Sequence, residues 1–507
     1  MLSNLSNRTA NPLRTDQRSC KIVATLTTNV WTGRRQLRAL RGLPCDVEIR
    51  ADLTGEIDAQ FLRGALKGEL IYSLRSVQYG GAFMGSAEER TQRILAAAGK
   101  YDLIDLELDR DLTPELLAAV PPHRRRICWY GGGRGHVALT SLFSRMAATP
   151  ARLYLLAPEA EKMTQAMAPL RFLADTRRTD VTAFATGELG VCSRLLAPWL
   201  GAPVVMGALG RTGGYGIPTV DQLVRDYPFP ALPPVQHLYG IVGSPGRWSR
   251  SPRILNDAFQ ASGLPSLFLP LPAYEFAGSW QAMRAGLDHI GVGLDGATVV
   301  APFKEEALQA ADTLSQESVE SAAANLLVHR HDGWRAYTTD PVGVLGTLRR
   351  AGVRLAGRRA AVIGCGGAGR GAAAGLLRAG ARPVMVNRSK ERGRYAARLL
   401  GIDYLPLGQF APEDYSVIVH ATPVQTDPPF DVSRVADDAV VVDFAYSTQE
   451  TGLAAEARRQ RVPVIDGWRV LSAELARQFR LMTGRNMPTA IEPNGSLAAP
   501  PQREFAV

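Results

Sequence analysis

Lysine is scarce in this chain. Of its 58 Lys and Arg residues only six are lysine: Lys21, Lys67, Lys100, Lys162, Lys304 and Lys390. The cationic surface is therefore built from arginine, and a lysine in a conspicuous place carries information. Long hydrophobic runs are also missing. The apolar stretches are short and broken by Arg, Gly or Pro, which excludes a bilayer-spanning helix. The first twenty residues are polar and contain Arg, with no apolar h-region, which argues against a signal peptide. A soluble cytoplasmic protein with no membrane partner is the expectation. The five cysteines, Cys20, Cys45, Cys128, Cys192 and Cys365, form no CxxC pair, so neither a disulfide framework nor a metal site is expected. The net charge is +10, yet no Lys/Arg block stands out. That argues against a nucleic-acid partner and for acidic small molecules or plain composition.

What is present is length and alternation. A chain of 507 residues, 46% of them apolar, is too long for one core and predicts two to four domains. Eight β-rich runs, KIVATLTT, DVEIRADL, LIYSLRS, YDLIDLELD, RRICWYG, RLYLLAP, DVTAFATG and PVVMGALG, are each followed by a helix-like segment. They predict an α/β fold beginning with a (β/α)8 barrel over 20–228. An open doubly wound sheet is the competing topology, but no run in this block ends in a glycine nucleotide turn. The segment "DYPFPALPPVQ" holds four prolines and predicts a stiff linker over 229–236. A second alternating region covers 237–345, a Rossmann unit 346–466 and a closing helix 467–486. A flexible N-terminus over 1–19 and a disordered tail over 487–507 complete the expected organisation.

The stretch "AAVIGCGGAGRGAAAGLLRAGARPVMVNRS" is the strongest local signal. A buried-strand pattern ends at Gly364, Gly366 and Gly369, and a helix pattern follows. Small residues there let the backbone approach a pyrophosphate, and the helix N-terminus offers free N–H groups. The next strand ends in Asn387–Arg388, where NAD-binding units place a carboxylate that would repel a 2′-phosphate. Asn with Arg removes the repulsion and offers a guanidinium, and Arg392 lies one turn on, so NADP is favoured over NAD.

Hydride transfer needs a presented carbonyl or alcohol. Ser249 and Ser251 precede a proline-started helix and suit a carboxylate. Lys304 follows the strand "ATVVAPF", and Asp340 follows "WRAYTT". A lysine paired with an aspartate can pass a proton to an alkoxide as hydride reaches its carbon.

These segments resemble, in order and spacing, the shikimate dehydrogenase family: "GSPGRWSRSPRILN", "PFKE", "AAAN", "YTTDPVG", "GCGGAGR", "VNRS", "VVDFAYSTQETGL" and "GWRVLSAELARQF". The resemblance covers about 237–484. It implies a two-lobed unit, a substrate-binding domain before the Rossmann domain, that reduces 3-dehydroshikimate to shikimate with NADPH and runs the reverse. It implies Lys304 and Asp340 as the catalytic pair. Ser249 and Ser251, with Tyr446, would hold the substrate carboxylate, Asn325 the ring hydroxyls, and Glu474 would stand where the family has a substrate-binding Gln. Gly364, Gly366, Gly367, Ala368 and Gly369, with Asn387, Arg388, Arg392 and Thr422, are the implied cofactor contacts. Trp248, Val300, Leu326, Thr338, His420, Gln425 and Thr426 depart from the family pattern. Val300 and Thr338 remove or shorten arms that would reach a ring hydroxyl, which bears on whether shikimate or quinate is preferred.

The first block resembles type I 3-dehydroquinate dehydratases through "DVEIRADL" (Glu48, Arg50), "YSLRSVQYGG" (Arg75, Gly80, Gly81) and "GELGVCSRLLAPWLG" (Ser193, Arg194). Barrel before dehydrogenase is the order of fused bifunctional enzymes. That family forms a Schiff base on a strand-six lysine and moves protons with a strand-five histidine. Here Leu155 and Gly131 stand at those positions, and Ile217 replaces a loop Gln. Lys162 falls on the next helix, facing solvent, and His136 follows the glycine run near the mouth. A degenerate barrel is expected, ahead of altered chemistry or an intact dehydratase. A quinate- or shikimate-sensing regulator without turnover is the non-enzymatic alternative.

Overall fold

Eight parallel strands follow the eight β-rich runs. The computed structural model describes residues 18–28, 45–132, 135–209, 216–245, 249–446, 449–489 and 491. The strands are β1 Lys21–Leu26, β2 Cys45–Arg50, β3 Leu70–Ser73, β4 Leu103–Glu107, β5 Arg125–Gly131, β6 Leu153–Pro158, β7 Val181–Ala183 and β8 Val204–Ala208. From β1 to β7 each strand pairs with the next, and β8 returns to pair with β1; among the described residues no ladder joins β7 to β8, so the barrel is nearly closed. That order is the mark of a (β/α)8 barrel. Every residue of β2 is buried, as a strand must be when side chains fill one face and helices cover the other.

The segment 229–236 is not the free spacer its prolines suggest. Phe229, Leu232 and Val235 are buried. Ala231–Leu232 pairs antiparallel with Arg18–Ser19, and Trp199 Nε1 donates to Pro233 O at 2.9 Å. The apolar residues between the prolines seal against the barrel, and burial outweighs the stiffness of the prolines. Arg18 and Ser19, expected in a flexible N-terminus, are thus in a strand; residues 1–17 lie outside the described residues. Met487, expected in a disordered tail, is buried, and 490 and 492–507 lie outside the described residues.

The chain divides into two compact units, Met1–Gln260 with Leu264–Leu294, and Ala261–Gly263 with Asp295–Val507. The division falls inside the expected second region, not at 236/237. In the first unit β9 (His237–Gly243) and β10 (Ser266–Pro272) pair in parallel across helix α1 (Ser251–Ala261). The helix Ala277–His289 lies on the barrel helix Met163–Thr176. A Cβ on Gly286 would stand 2.6 Å from Met167 Cγ, so the glycine permits that approach.

The second unit opens with β11 (Leu294–Val299), β12 (Thr313–Leu314), β13 (Leu326–Arg330) and β14 (Gly333–Tyr337), ordered β11-β13-β14-β12. A six-stranded parallel sheet follows: β15 (Arg359–Ile363), β16 (Arg382–Asn387), β17 (Asp403–Pro406), β18 (Val417–His420), β19 (Val440–Asp443) and β20 (Val464–Ile465), ordered β17-β16-β15-β18-β19-β20. This is the Rossmann order, with its switch point between β15 and β18. Alternate residues of β15 feed two cores: Ala360 and Val362 one, Ala361 and Ile363 the other. Among the described residues no helix is long and apolar enough to cross a membrane.

Candidate active site

Two short elements present the central pair. Lys304 lies in the turn after β11, and Asp340 is the first residue of helix α2 (Asp340–Arg350), where Pro341 fixes the start. A carboxylate there is favoured by the positive end of the helix. Lys304 Nζ is 2.8 Å from Asp340 Oδ1 and 3.0 Å from Oδ2. Asp340 also accepts from Asn325 Nδ2 at 3.2 Å and Thr338 Oγ1 at 3.3 Å. Asn325 Oδ1 accepts from Thr339 N at 2.9 Å. Thr338, whose hydroxyl shortens the family's arm, thus serves Asp340, and Asn325 binds Thr339 and Asp340. Burial opposes charge on Lys304, but the Asp340 carboxylate, with Glu474 and the direct hydrogen bond, outweighs it and holds the ammonium above its ordinary value.

Helix α6 (Gly467–Thr483) closes over this pair. Glu474 is buried, and its Oε1 has no hydrogen-bond partner. Burial, reinforced by Asp340 and opposed by Lys304, pushes its carboxyl up to about 8. One turn later Gln478 Nε2 donates to Thr339 Oγ1 at 3.1 Å, and its Oε1 accepts from Thr298 Oγ1 at 3.1 Å. Gln478 escaped sequence reading, although its i+4 spacing from Glu474 places both on one face. Tyr446 also acts on the Lys304 charge, and its ring lies 5.0 Å from that of Trp468.

The glycine loop abuts the same pair. Gly364 has φ +109°, and a Cβ there would meet Ala421 O at 2.8 Å and Thr422 Cγ2 at 3.0 Å. A Cβ on Gly369 would meet Gly364 O at 1.9 Å, whereas one on Gly366 would meet nothing within 4 Å. The tight turn and the open space at Gly366, before helix α3 (Gly367–Arg378), fit a pyrophosphate. A Cβ on Gly367 would stand 3.2 Å from Lys304 Cβ, and one on Gly371 3.2 Å from Asp340 Cβ. Arg370, also missed in the sequence, is buried and donates to the carbonyls of Ser321, Cys365 and Ala322 at 2.7, 3.1 and 3.1 Å. It ties this helix to the turn after Ser321.

At the end of β16, before helix α4 (Lys390–Leu400), Asn387 Nδ2 donates to Ser389 O at 3.1 Å. Arg388 and Arg392 are exposed, with no carboxylate paired to either among the described residues. That leaves two guanidinium groups for a 2′-phosphate. Ser249 and Ser251 belong to the first unit. Ser249 Oγ donates to Ser251 Oγ at 3.0 Å and accepts from Ser251 N at 3.1 Å. Trp248 lies outside the described residues.

The barrel interior is charged. Arg126 pairs with Glu48 and, at 2.6 Å, with Asp105. Arg75 lies 3.7 Å from the centre of the Tyr130 ring and donates to that hydroxyl at 2.7 Å. Leu155 is 1% exposed. A Cβ on Gly131 would meet the Trp129 ring at 2.4 Å, so the indole occupies the space a side chain at 131 would enter. Lys162 is exposed at the cap of the next helix. His136 Nε2 is 2.7 Å from Asp175 Oδ2, an acidic partner on the helix Met163–Thr176. Among the described residues no group of His, Cys, Asp and Glu is placed to hold a metal.

A Rossmann sheet whose glycine turn abuts a part-buried ammonium–carboxylate pair defines a dinucleotide-linked oxidoreductase. Comparison with known proteins narrows the class. Residues 22–230 match the type I 3-dehydroquinase model, and residues 241–327 the shikimate dehydrogenase substrate binding domain. The shikimate dehydrogenase (NADP(+)) of Methanothrix thermoacetophila is 34% identical over 265 residues, 50% of this chain and 94% of the relative. That of Halobacterium salinarum is 35% identical over 261 residues, 50% of this chain and 96% of the relative. The chloroplastic bifunctional 3-dehydroquinate dehydratase/shikimate dehydrogenase of Arabidopsis thaliana is 26% identical over 451 residues, 82% of this chain and 73% of the relative. The chain belongs to the shikimate dehydrogenase family, with a type I 3-dehydroquinase-like barrel ahead of the dehydrogenase.

Proposed function

We propose that the second half catalyses the NADP-linked, reversible reduction of 3-dehydroshikimate to shikimate. The observation that carries this reading is the contact between the glycine loop and the Lys304–Asp340 pair. Bound NADPH would supply the hydride. Lys304, held charged by Asp340, gives its proton to the substrate oxygen as negative charge develops there, and in the reverse direction takes it back. Asp340 receives four hydrogen bonds in total, from Lys304, Asn325 and Thr338, so the ammonium is oriented before substrate arrives. The neutral form of Glu474 offers a donor beside this pair in place of the family's Gln. Asn387 and Arg388, where a carboxylate would otherwise stand, with Arg392 one turn on, support NADP over NAD. Ser249 and Ser251 are assigned to the substrate carboxylate.

The barrel, in this reading, performs no Schiff-base dehydration. Leu155 has no amine, and the Trp129 ring occupies the space beside Gly131. Purified protein with NADP+ and either shikimate or quinate, followed at the absorbance of reduced nicotinamide, tests the proposal. Turnover with shikimate is expected. Preference for quinate reassigns the substrate, in line with Val300 in place of a hydroxyl-reading residue. Binding of both without turnover makes the protein a sensor.

A further inference from the structure

The end of β18 carries a hydroxyl–imidazole–carboxylate line that the proton chemistry at Lys304 does not use. His420 is fully buried. Its Nδ1 is 2.9 Å from Asp443 Oδ1, on the adjacent strand, and its Nε2 is 2.5 Å from Thr422 Oγ1. Asp443 is fixed in turn: Oδ1 accepts from Ala445 N at 3.0 Å and Oδ2 from Thr451 Oγ1 at 2.6 Å. Thr451 caps helix α5 (Gly452–Arg459). The shikimate dehydrogenase pattern carries Asn where this chain has His420.

The hydrogen-bond roles follow from the acceptor at one end. A carboxylate accepts only, so in the neutral imidazole Nδ1 carries the hydrogen and donates to Asp443. Nε2 is then an acceptor and takes the Thr422 hydroxyl hydrogen. Thr422 Oγ1 also accepts from Val424 N at 3.4 Å, which leaves it one lone pair, and no hydrogen, to offer a ligand. Its position is also set. Ala421 N donates to Ile363 O at 2.8 Å, and a Cβ on Gly364 would touch Thr422 Cγ2 at 3.0 Å. Thr422 thus lies against the first glycine of the dinucleotide turn, on the β18 side of the switch point. The adenosine half belongs on the other side, where β16 ends in Asn387 and Arg388, so the β18 side faces the nicotinamide half.

We propose that Asp443 and His420 are positioning residues that hold Thr422 as an acceptor for a hydroxyl or amide N–H on the nicotinamide half of the dinucleotide. This rests on the NADP-linked reading above. The line fixes one hydroxyl in one rotamer and one polarity, which favours a donor-bearing ligand and disfavours an anion at that point.

A double-mutant cycle on the full chain, read by direct titration of NADP+ binding and by thermal melting, tests the idea. Thr422→Val and His420→Ala are each expected to weaken NADP+ binding about 10-fold, the equivalent of about 1.4 kcal/mol. Thr422→Ser should retain affinity. In the Thr422→Val background, His420→Ala should weaken binding little further, because His420 acts through Thr422. His420→Asn, the family's residue, should recover part of the loss. Unchanged affinity in Thr422→Val overturns the proposal. So do losses that add in the double variant, or a loss in His420→Ala that follows only its melting temperature. Wild-type protein that binds no NADP+ overturns the NADP-linked reading and this inference with it; tight wild-type binding with a silent Thr422→Val overturns this inference alone.

Discussion

Gly367 and Lys304 lie so close that a Cβ on the glycine would stand 3.2 Å from the lysine Cβ and 3.3 Å from its Cδ. The glycine turn and the proposed proton donor thus share a wall, which in that reading joins cofactor binding to acid–base chemistry in one place. The same added atom would meet Ala323 Cβ at 2.8 Å, and the backbone at Ala324 accepts no slack because its N–H donates to Lys304 O at 2.7 Å. Gly367→Ala should therefore displace the Lys304 stem, lower kcat at least 10-fold and cost about 1–3 kcal/mol of stability. Steady-state kinetics with a melting curve checks this; a variant with normal kcat would show that the wall is compliant.

Removal of the proposed proton donor separates chemistry from binding. Lys304→Ala should lower kcat by about 10²–10⁴-fold while NADP+ affinity changes little, since Lys304 meets the loop through its stem. Asp340→Asn should also lower kcat, because it removes the charge that holds the ammonium. Equal losses of turnover and of NADP+ binding in Lys304→Ala would make the lysine a structural support instead.

The direction of the Lys304 shift fixes a pH dependence. Its ammonium is held above the ordinary value, so at neutral pH it is charged and ready to donate. Ketone reduction should be flat through neutrality. Alcohol oxidation needs the free amine, and its rate should climb with pH across the alkaline range until lysine deprotonation is complete. Initial rates in both directions over pH 6 to roughly 10.5 measure the contrast, and an oxidation rate independent of pH would remove Lys304 as the base.

Glu474 adds a second, separable limb. Its carboxyl is raised from 4.5 to about 8, so the folded state binds a proton that the unfolded state has lost. The stabilising effect of that proton is complete below 4.5 and is lost as pH rises towards about 8. Glu474→Gln should remove this dependence, making the protein less sensitive to pH between those limits. It should also abolish any rise in substrate KM near pH 8, because an amide keeps its donor. Denaturant melts and KM values at pH 6 and pH 9 decide it; identical pH profiles for both proteins would place Glu474 outside the site.

The sequence carried more of the site than of its supports. The glycine turn, Lys304 and Asp340 were legible because each sits at a strand end or a helix start, where spacing is rigid. The eight barrel strands were legible because each forms a compact β-rich run. Gln478, Arg370 and the His420–Asp443 pair were not, since their partners come from distant segments and only the fold brings them together. The segment 229–236 misled for a different reason: its prolines announce a linker, while Phe229, Leu232 and Val235 between them bury. The division after Leu294 was hidden because it depends on packing of the helix Ala277–His289 against Met163–Thr176.

The barrel offers a test that needs no dehydrogenase. A Schiff base between a protein amine and a substrate ketone is trapped by borohydride as a stable secondary amine, visible as added mass. The barrel has four lysines, Lys21, Lys67, Lys100 and Lys162. Lys67, Lys100 and Lys162 are exposed, and Lys21 is tied to Glu69 at 2.8 Å and Asp46 at 3.2 Å. At the strand-six position, Leu155 is 1% exposed beside Cys128 and Thr182. Incubation with 3-dehydroquinate and borohydride should therefore add no stoichiometric mass, and no dehydration should be seen. Leu155→Lys should not restore dehydration on its own, because Gly131 still supplies no imidazole and the Trp129 ring occupies the space a side chain there would need. Stoichiometric adduct formation in the unaltered protein would show that another lysine reaches the barrel centre and that the dehydratase survives.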